Sequence, residues 1–193
     1  MANVKSQVDK WKRKRWFTIL APKVFDEKPL TETPAEKPEM VIGRTIRVFG
    51  REVSPHAKRS PTQLIFQVED VQGSNAHTSL AGIEMNSGEI KRALRRRNSK
   101  VDVVQTITSK DGVTARLHTV VVSGTKLSQP QGRILYHQVR EEVDKAAKEM
   151  NFDKMVYEIV CGNLLGDIHN KVKKIAPIKR IEVLSARRQK GKA

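Results

Sequence analysis

An α+β fold built on a largely antiparallel sheet is what this 193-residue sequence predicts, and three observations predict it. Short β-branched and aromatic runs fill the first part of the chain and meet at turns containing Gly and Asn, among them Asp111-Gly112. From Gln131 onward apolar residues recur at helical spacing, and a final alternating run, Ile178 to Leu184, has to return to the sheet. Strands first and helices later leave two architectures open: a sheet curled into a barrel, or an open one with the later helices over one face. The length suits one domain, over residues 16–184, with a basic arm before it (1–15) and a basic tail after it (185–193).

Each element has its own signal. Trp16 to Leu20 (WFTIL) reads as a first strand with Trp16 anchored in the core. Pro22, Pro29, Pro34 and Pro38 mark the stretch between Pro22 and Pro38 as an extended surface loop. Gly43 to Val53 alternates like a strand, Gln63 to Val71 is a second clear one, and a turn at Gln72-Gly73-Ser74-Asn75 joins it to a third, Ala76 to Met85. Asn86 with Glu89 three residues on resembles a capping box and opens a helix through Arg97. Val101 to Thr108 and Val113 to Ser123 form a hairpin across Asp111-Gly112. Helices follow over Gln131 to Met150, from an Asp153 cap to Val160, and over Leu164 to Ile175, where Pro177 prevents further extension.

Charge is distributed unevenly. The formal net charge is +16, yet residues 1–15, 91–97 and 171–193 carry +5, +5 and +8, which leaves the other 148 residues slightly acidic. Cations gathered at two ends and one interior segment imply a polyanion that touches those places and spares the body. In Lys91 to Arg97 no acid intervenes among five cations, so they repel one another and gain no i,i+4 pairs. Arginine dominates there, and its planar fork suits bidentate contact with phosphate. The arm reads W-K-R-K-R-W, with Trp11 free either to stack on a base or to pack beside the body. Aromatic content is 5%, too little for base-by-base reading of single strands, which favours structured RNA recognised by shape and phosphate. About ten neutralised phosphates would cost such binding about 10³ to 10⁵ in affinity between low and moderate salt.

Other classes are disfavoured. There is no phosphate-binding G-x-x-x-x-G-K-[ST] loop, dinucleotide G-x-G-x-x-G, G-x-S-x-G elbow or H-E-x-x-H. His56, His77, His118, His137 and His169 lack metal-ligand spacing, and the adjacent Glu69 and Asp70 point to opposite faces of a strand. No enzyme activity, cofactor, metal or small-molecule substrate is expected. Cys161, alone, allows no intrachain disulfide and reads as a buried small hydrophobe. No segment approaches the roughly 20 apolar residues of a membrane span, and no apolar stretch follows the first charges as in a signal peptide. A cytoplasmic protein is expected.

Four stretches together resemble one family. They are DKWKRKRWFTILAPKVFDEKPLTETPAEKPE from Asp9, EDVQGSNAHTSLAGIEM from Glu69, IKRALRRRNSKVDVVQTITSKDGVTARL from Ile90 and KVKKIAPIKRIEVL from Lys171. They are similar to the S3Ae (e-type S1) small-subunit ribosomal proteins of archaea and eukaryotes, and the short C-terminus resembles the archaeal members. The resemblance implies a structural constituent of the small ribosomal subunit, on its platform near the mRNA exit. Its partners would be 16S-type rRNA, neighbouring platform proteins and mRNA at the exit site. Carried over, the RNA contacts fall on Lys12, Arg13, Lys14 and Arg15, on Arg92, Arg95, Arg96 and Arg97, and on Lys173, Lys174, Lys179, Arg180, Arg187 and Arg188. A free-standing RNA- or DNA-binding regulator is the alternative. The resemblance assigns no role to Lys58 and Arg59 of the basic SPHAKRSP segment.

Overall fold

The computed structural model describes residues 11, 14–54, 57 and 62–189. These carry eight strands and five α-helices, and the chain gathers into two compact units. The first combines residues up to Ile46 with Phe66–Ser79; the second combines Arg47–Ile65 with everything from Leu80 onward. Expected as one domain over 16–184, the chain divides by weaving rather than by succession, because three strands run on from one unit into the other.

In the first unit, β1 (Arg15–Leu20) pairs antiparallel with β2 (Pro29–Ala35) and parallel with the start of β5 (Asn75–Met85). Strand alternation puts Phe17 and Ile19 into a core with Ala35, Val41, Val68 and Ala76. Trp16 therefore points outward and is 60% exposed, so it does not anchor the core as expected. The proline-rich stretch is also corrected. β2 forms despite Pro29 and Pro34 because, among the described residues, β1 is its only partner, and an edge strand can spare the amides that proline lacks.

β3 (Thr45–Phe49) is shorter than expected: the chain turns at Gly50 into a single helical turn, α1 (Gly50–Val53). β4 (Thr62–Gln72) and β5 form the expected hairpin. In the second unit the end of β5 pairs with β8 (Ile178–Arg188), β8 with β7 (Thr114–Ser123) and β7 with β6 (Lys100–Thr108), all antiparallel. Nine residue pairs, from Lys100 opposite Val122 to Thr108 opposite Thr114, make β6–β7 the most regular hairpin. Gly112, at φ 74°, supplies the left-handed residue its turn requires. Among the described residues β6 pairs with β7 alone, so the sheet stays open.

Alternation divides this sheet into two faces. Val103, Gln105 and Ile107 of β6, with Leu117, Thr119 and Val121 of β7, are buried beneath α3 (Gln129–Glu149), and α5 (Leu164–Val172) packs on β8. α3 starts two residues earlier than expected, with Pro130 in its first turn and Gln131 Oε1 accepting from the Ser128 amide at 3.1 Å and the Ser128 hydroxyl at 3.0 Å. α4 (Phe152–Val160) begins after Asn151, and α5 stops short of Ile175. Cys161 is half-buried; burial pushes its thiol above the usual range. On the other face α2 (Ser87–Ala93) covers only one half, where Ile90 meets Met85, Val120 and Val122 and where Ala93, Leu94 and Leu184 close the edge.

Candidate nucleic-acid interface

The interior basic segment is shorter as a helix than the sequence suggested. Asn86 caps α2, its Oδ1 accepting from the Gly88 amide at 2.9 Å. Glu89 does not complete a capping box; it pairs with Arg92 at 2.7 Å. The helix ends at Leu94, which turns into the core, so Arg95, Arg96 and Arg97 project from a turn instead of a helical face. The Asn98 amide donates to the Arg95 carbonyl at 3.1 Å, and Arg97 takes φ 75°, a left-handed conformation that costs a non-glycine residue about 1 kcal/mol. The chain is then fixed by Ser99: its amide donates to the Ser123 hydroxyl at 2.9 Å, and its hydroxyl accepts from the Leu127 amide at 2.9 Å. Arg95, Arg96 and Arg97 are exposed and make no ion pair among the described residues.

The C-terminal segment is ordered further than expected. β8 runs to Arg188 with Ala186 fully buried, so Ser185–Arg188 is strand and the tail cannot begin at 185. What carries these residues is pairing on both sides: Arg187 lies opposite Gly82 of β5 and Arg116 of β7. The packing requires Gly82, since a Cβ there would clash with the Ala186 carbonyl oxygen.

Cross-strand register shows which cations share a face. Arg180 stands opposite Val122, Glu182 opposite Val120, Ser185 opposite His118 and Arg187 opposite Arg116, a bulge at Leu184 keeping the series in phase. Val120 and Val122 are the residues under α2, so Arg180 and Arg187 share the α2 face with Arg92 and the Arg95–Arg97 turn. Lys179 reaches the same place, its Nζ 3.5 Å from the Ala93 carbonyl oxygen. The structure thus assembles seven of the expected contacts: Arg92, Arg95, Arg96, Arg97, Lys179, Arg180 and Arg187.

Several of these are partly neutralised. Arg180 pairs with Glu182 at 2.6 Å and Arg187 with Glu84 at 3.0 Å. Lys173 and Lys174 belong to the turn after α5, in the layer on the other face, with Lys173 donating to Asn170 at 3.1 Å. Arg188, opposite the buried Ala115, projects from the end of the strand. Lys14 and Arg15 lie in the first unit, where the Lys14 ammonium stands 3.8 Å from the centre of the Trp11 ring. Lys12, Arg13, Lys58, Arg59, Lys190 and Lys192 lie outside the described residues.

Sequence reasoning passed over Lys100, Arg116 and Arg47, single cations within strands. The signal for the first two was alternation: Lys100 and Arg116 share phase with Val122 and His118, on the α2 face. Lys100 donates to Asp102 at 2.9 Å, and His118 lies 3.1 Å from the same carboxylate. Burial acts to raise the Asp102 carboxyl, but the hydrogen bonds from Lys100 and His118 outweigh it and hold the group below its ordinary value. Among the described residues no three His, Cys, Asp or Glu side chains come together as metal ligands, and no helix is long and apolar enough to cross a membrane.

Among the described residues the fold is thus an α+β sheet with one face covered by α3 and α5 and the other partly covered by α2 and rimmed by arginine. The profile of the ribosomal S3Ae family matches residues 2–190, and the chain belongs to that family. It is 30% identical over 179 residues to the small ribosomal subunit protein eS1 of Methanobrevibacter smithii, covering 93% of each chain. The eS1 protein of Methanothermobacter thermautotrophicus is 29% identical across 93% of this chain and 92% of its own. That of Saccharolobus islandicus is 33% identical across 91% and 84%. The family is one of structural ribosomal proteins, not enzymes, and the relatives are archaeal.

Proposed function

We propose that this protein is an architectural component of the small ribosomal subunit that holds 16S-type rRNA against the α2 face of its second unit. The contact centres on Arg95, Arg96 and Arg97, with Arg92, Lys179 and Arg180 beside them and Arg187 farther along the same face. The observation that carries the reading is the exposed triplet of unpaired arginines on a turn fixed by Ser99 and Leu94. Three adjacent guanidinium groups repel one another in the free protein, and a phosphate backbone relieves that repulsion with charge-assisted hydrogen bonds. Lys12, Arg13, Lys14, Arg15, Lys173, Lys174 and Arg188 serve as further backbone contacts. Such binding positions the protein without reading sequence, as suits a structural constituent of a folded RNA particle. Family resemblance supports a place on the platform near the mRNA exit, with platform proteins as neighbours and mRNA passing close by.

The test is sedimentation of cell extract through sucrose at low and then high salt. The protein is expected with the small subunit at low salt and progressively released as salt rises. Sedimentation at the top of both gradients would instead favour a free-standing nucleic-acid-binding regulator.

A further inference from the structure

The half of the sheet face that α2 leaves open carries a second set of arginines, and it deepens the RNA-binding reading on which it rests. Across the strands at one register run Gly82, Arg187, Arg116 and Thr106; at the next run Glu84, Ser185, His118 and Val104. Arg116, Arg187, Thr106 and Val104 are exposed, so this surface faces solvent. Gly82 contributes no side chain beside Arg187. Arg116 and Arg187 are direct cross-strand partners, and like charges so placed destabilise a sheet unless something anionic lies between them. The near acid is Glu84, but it is shared: its Oε2 is 3.0 Å from Arg187 and 3.9 Å from Arg47 of β3. Arg116 makes no ion pair among the described residues. A groove of about 410 Å³ opens between Arg47 and Arg187, with Glu84, Gln63 and Ser185 among its walls.

We propose that Arg116, Arg187 and Arg47 form a separate RNA-backbone site on the open sheet face, with Arg116 at its centre and Glu84 orienting the other two. Three arginines against one carboxylate leave an excess of two positive charges at this groove, which favours a polyanion over a protein neighbour. Arg187 engages Glu84 through one terminal nitrogen, and its remaining donors stay available to phosphate oxygens. The two arginines on adjacent strands stand about 5 Å apart at their Cα atoms, so their longer side chains can splay to successive phosphates. Glu84 serves as a positioning residue: it holds two guanidinium groups at the groove without contacting RNA itself.

The experiment measures binding of the full chain to a 16S-type rRNA transcript over a salt series, alongside the thermal midpoint of the free protein. Arg47→Ala with Arg116→Ala is expected to weaken binding about tenfold at 0.1 M salt and to lower the slope of log affinity against log salt by between one and two. Arg116→Lys should keep most of the slope. The free protein's midpoint should hold or rise in Arg116→Ala, since a like-charge pair is removed. An unchanged affinity and slope in the double variant would overturn the site, provided the wild type binds and the Arg95–Arg97 triple alanine variant does not. Failure of the wild type itself at low salt would instead sink the broader reading. Normal rRNA affinity with lost incorporation into subunits would overturn the site too, making this face a protein contact.

Discussion

The segments at residues 91–97 and 171–188 have comparable basic content, but the fold treats them differently. The first ends in a turn whose three arginines find no acid. The second is threaded among carboxylates: Lys171 meets Glu142 at 2.6 Å, Arg180 meets Glu182 and Arg187 meets Glu84. A cation whose charge is partly neutralised by an acid in the free protein gains less from RNA than an unpaired one. Positive charge along the chain therefore nominates the proposed polyanion site, and the distribution of acids in the folded state grades its members.

The sharpest way to break this contrast is to detach β8 from the sheet. Gly82→Ala puts a Cβ against the Ala186 carbonyl oxygen and the Arg187 backbone, both main-chain atoms that cannot step aside. We expect a loss of about 3 kcal/mol in a urea unfolding curve. An unchanged midpoint would mean that the C-terminal cations are held by something other than β5–β8 pairing. Next in size is the triple alanine variant at Arg95, Arg96 and Arg97. Its rRNA affinity should fall about 10- to 100-fold and its salt slope by two to three, with stability within about 0.5 kcal/mol of wild type. Loss of fold with rRNA affinity intact would refute the assignment. Arg180→Ala is the counterpart in the other segment: with its charge already committed to Glu182, it should lower the slope by well under one. A full unit would show that the ion pair counts for nothing when RNA arrives.

The contrast also shows how far the sequence could be read. Element types and the β6–β7 hairpin were legible because periodicity and Asp111-Gly112 are local signals. β2 was not, because counting Pro29 and Pro34 reveals their cost but not that their strand sits at an edge. The side of β1 that Trp16 would take depended on which phase fits the Phe17–Ile19 core, a tertiary decision. The three basic segments were plain from composition. Their availability was not, since Arg187 meets its acid 103 residues away and Lys171 meets Glu142 29 residues away. Arg116 and Arg47 were missed because a lone arginine in a strand carries no local charge signal, and only register sets them beside Arg187 or Glu84.

The smallest effect separates availability from position. Glu142 of α3 bridges Lys145, 2.8 Å away on the same helix, and Lys171 of α5. Hydrogen bonds from Lys145 and Lys171 hold its carboxyl below the ordinary value. A carboxyl lowered by folding stabilises the protein at pH values above its unfolded pKa, and that contribution is lost as pH falls through the folded one. Glu142→Gln should therefore cost about 0.5–1 kcal/mol at pH 7, discounted for solvent around both lysines, and the gap to wild type should close as pH falls below the ordinary glutamate range and through the lowered folded value. A gap that persists in acid would assign the loss to packing and not to charge. The same variant frees Lys171 without adding a cation. Since Lys171 is not among the proposed RNA contacts, its release should leave the rRNA salt slope unchanged. A steeper slope in Glu142→Gln would mean that the ion pair with Glu142, rather than its place in the fold, is what keeps Lys171 out of the RNA contact.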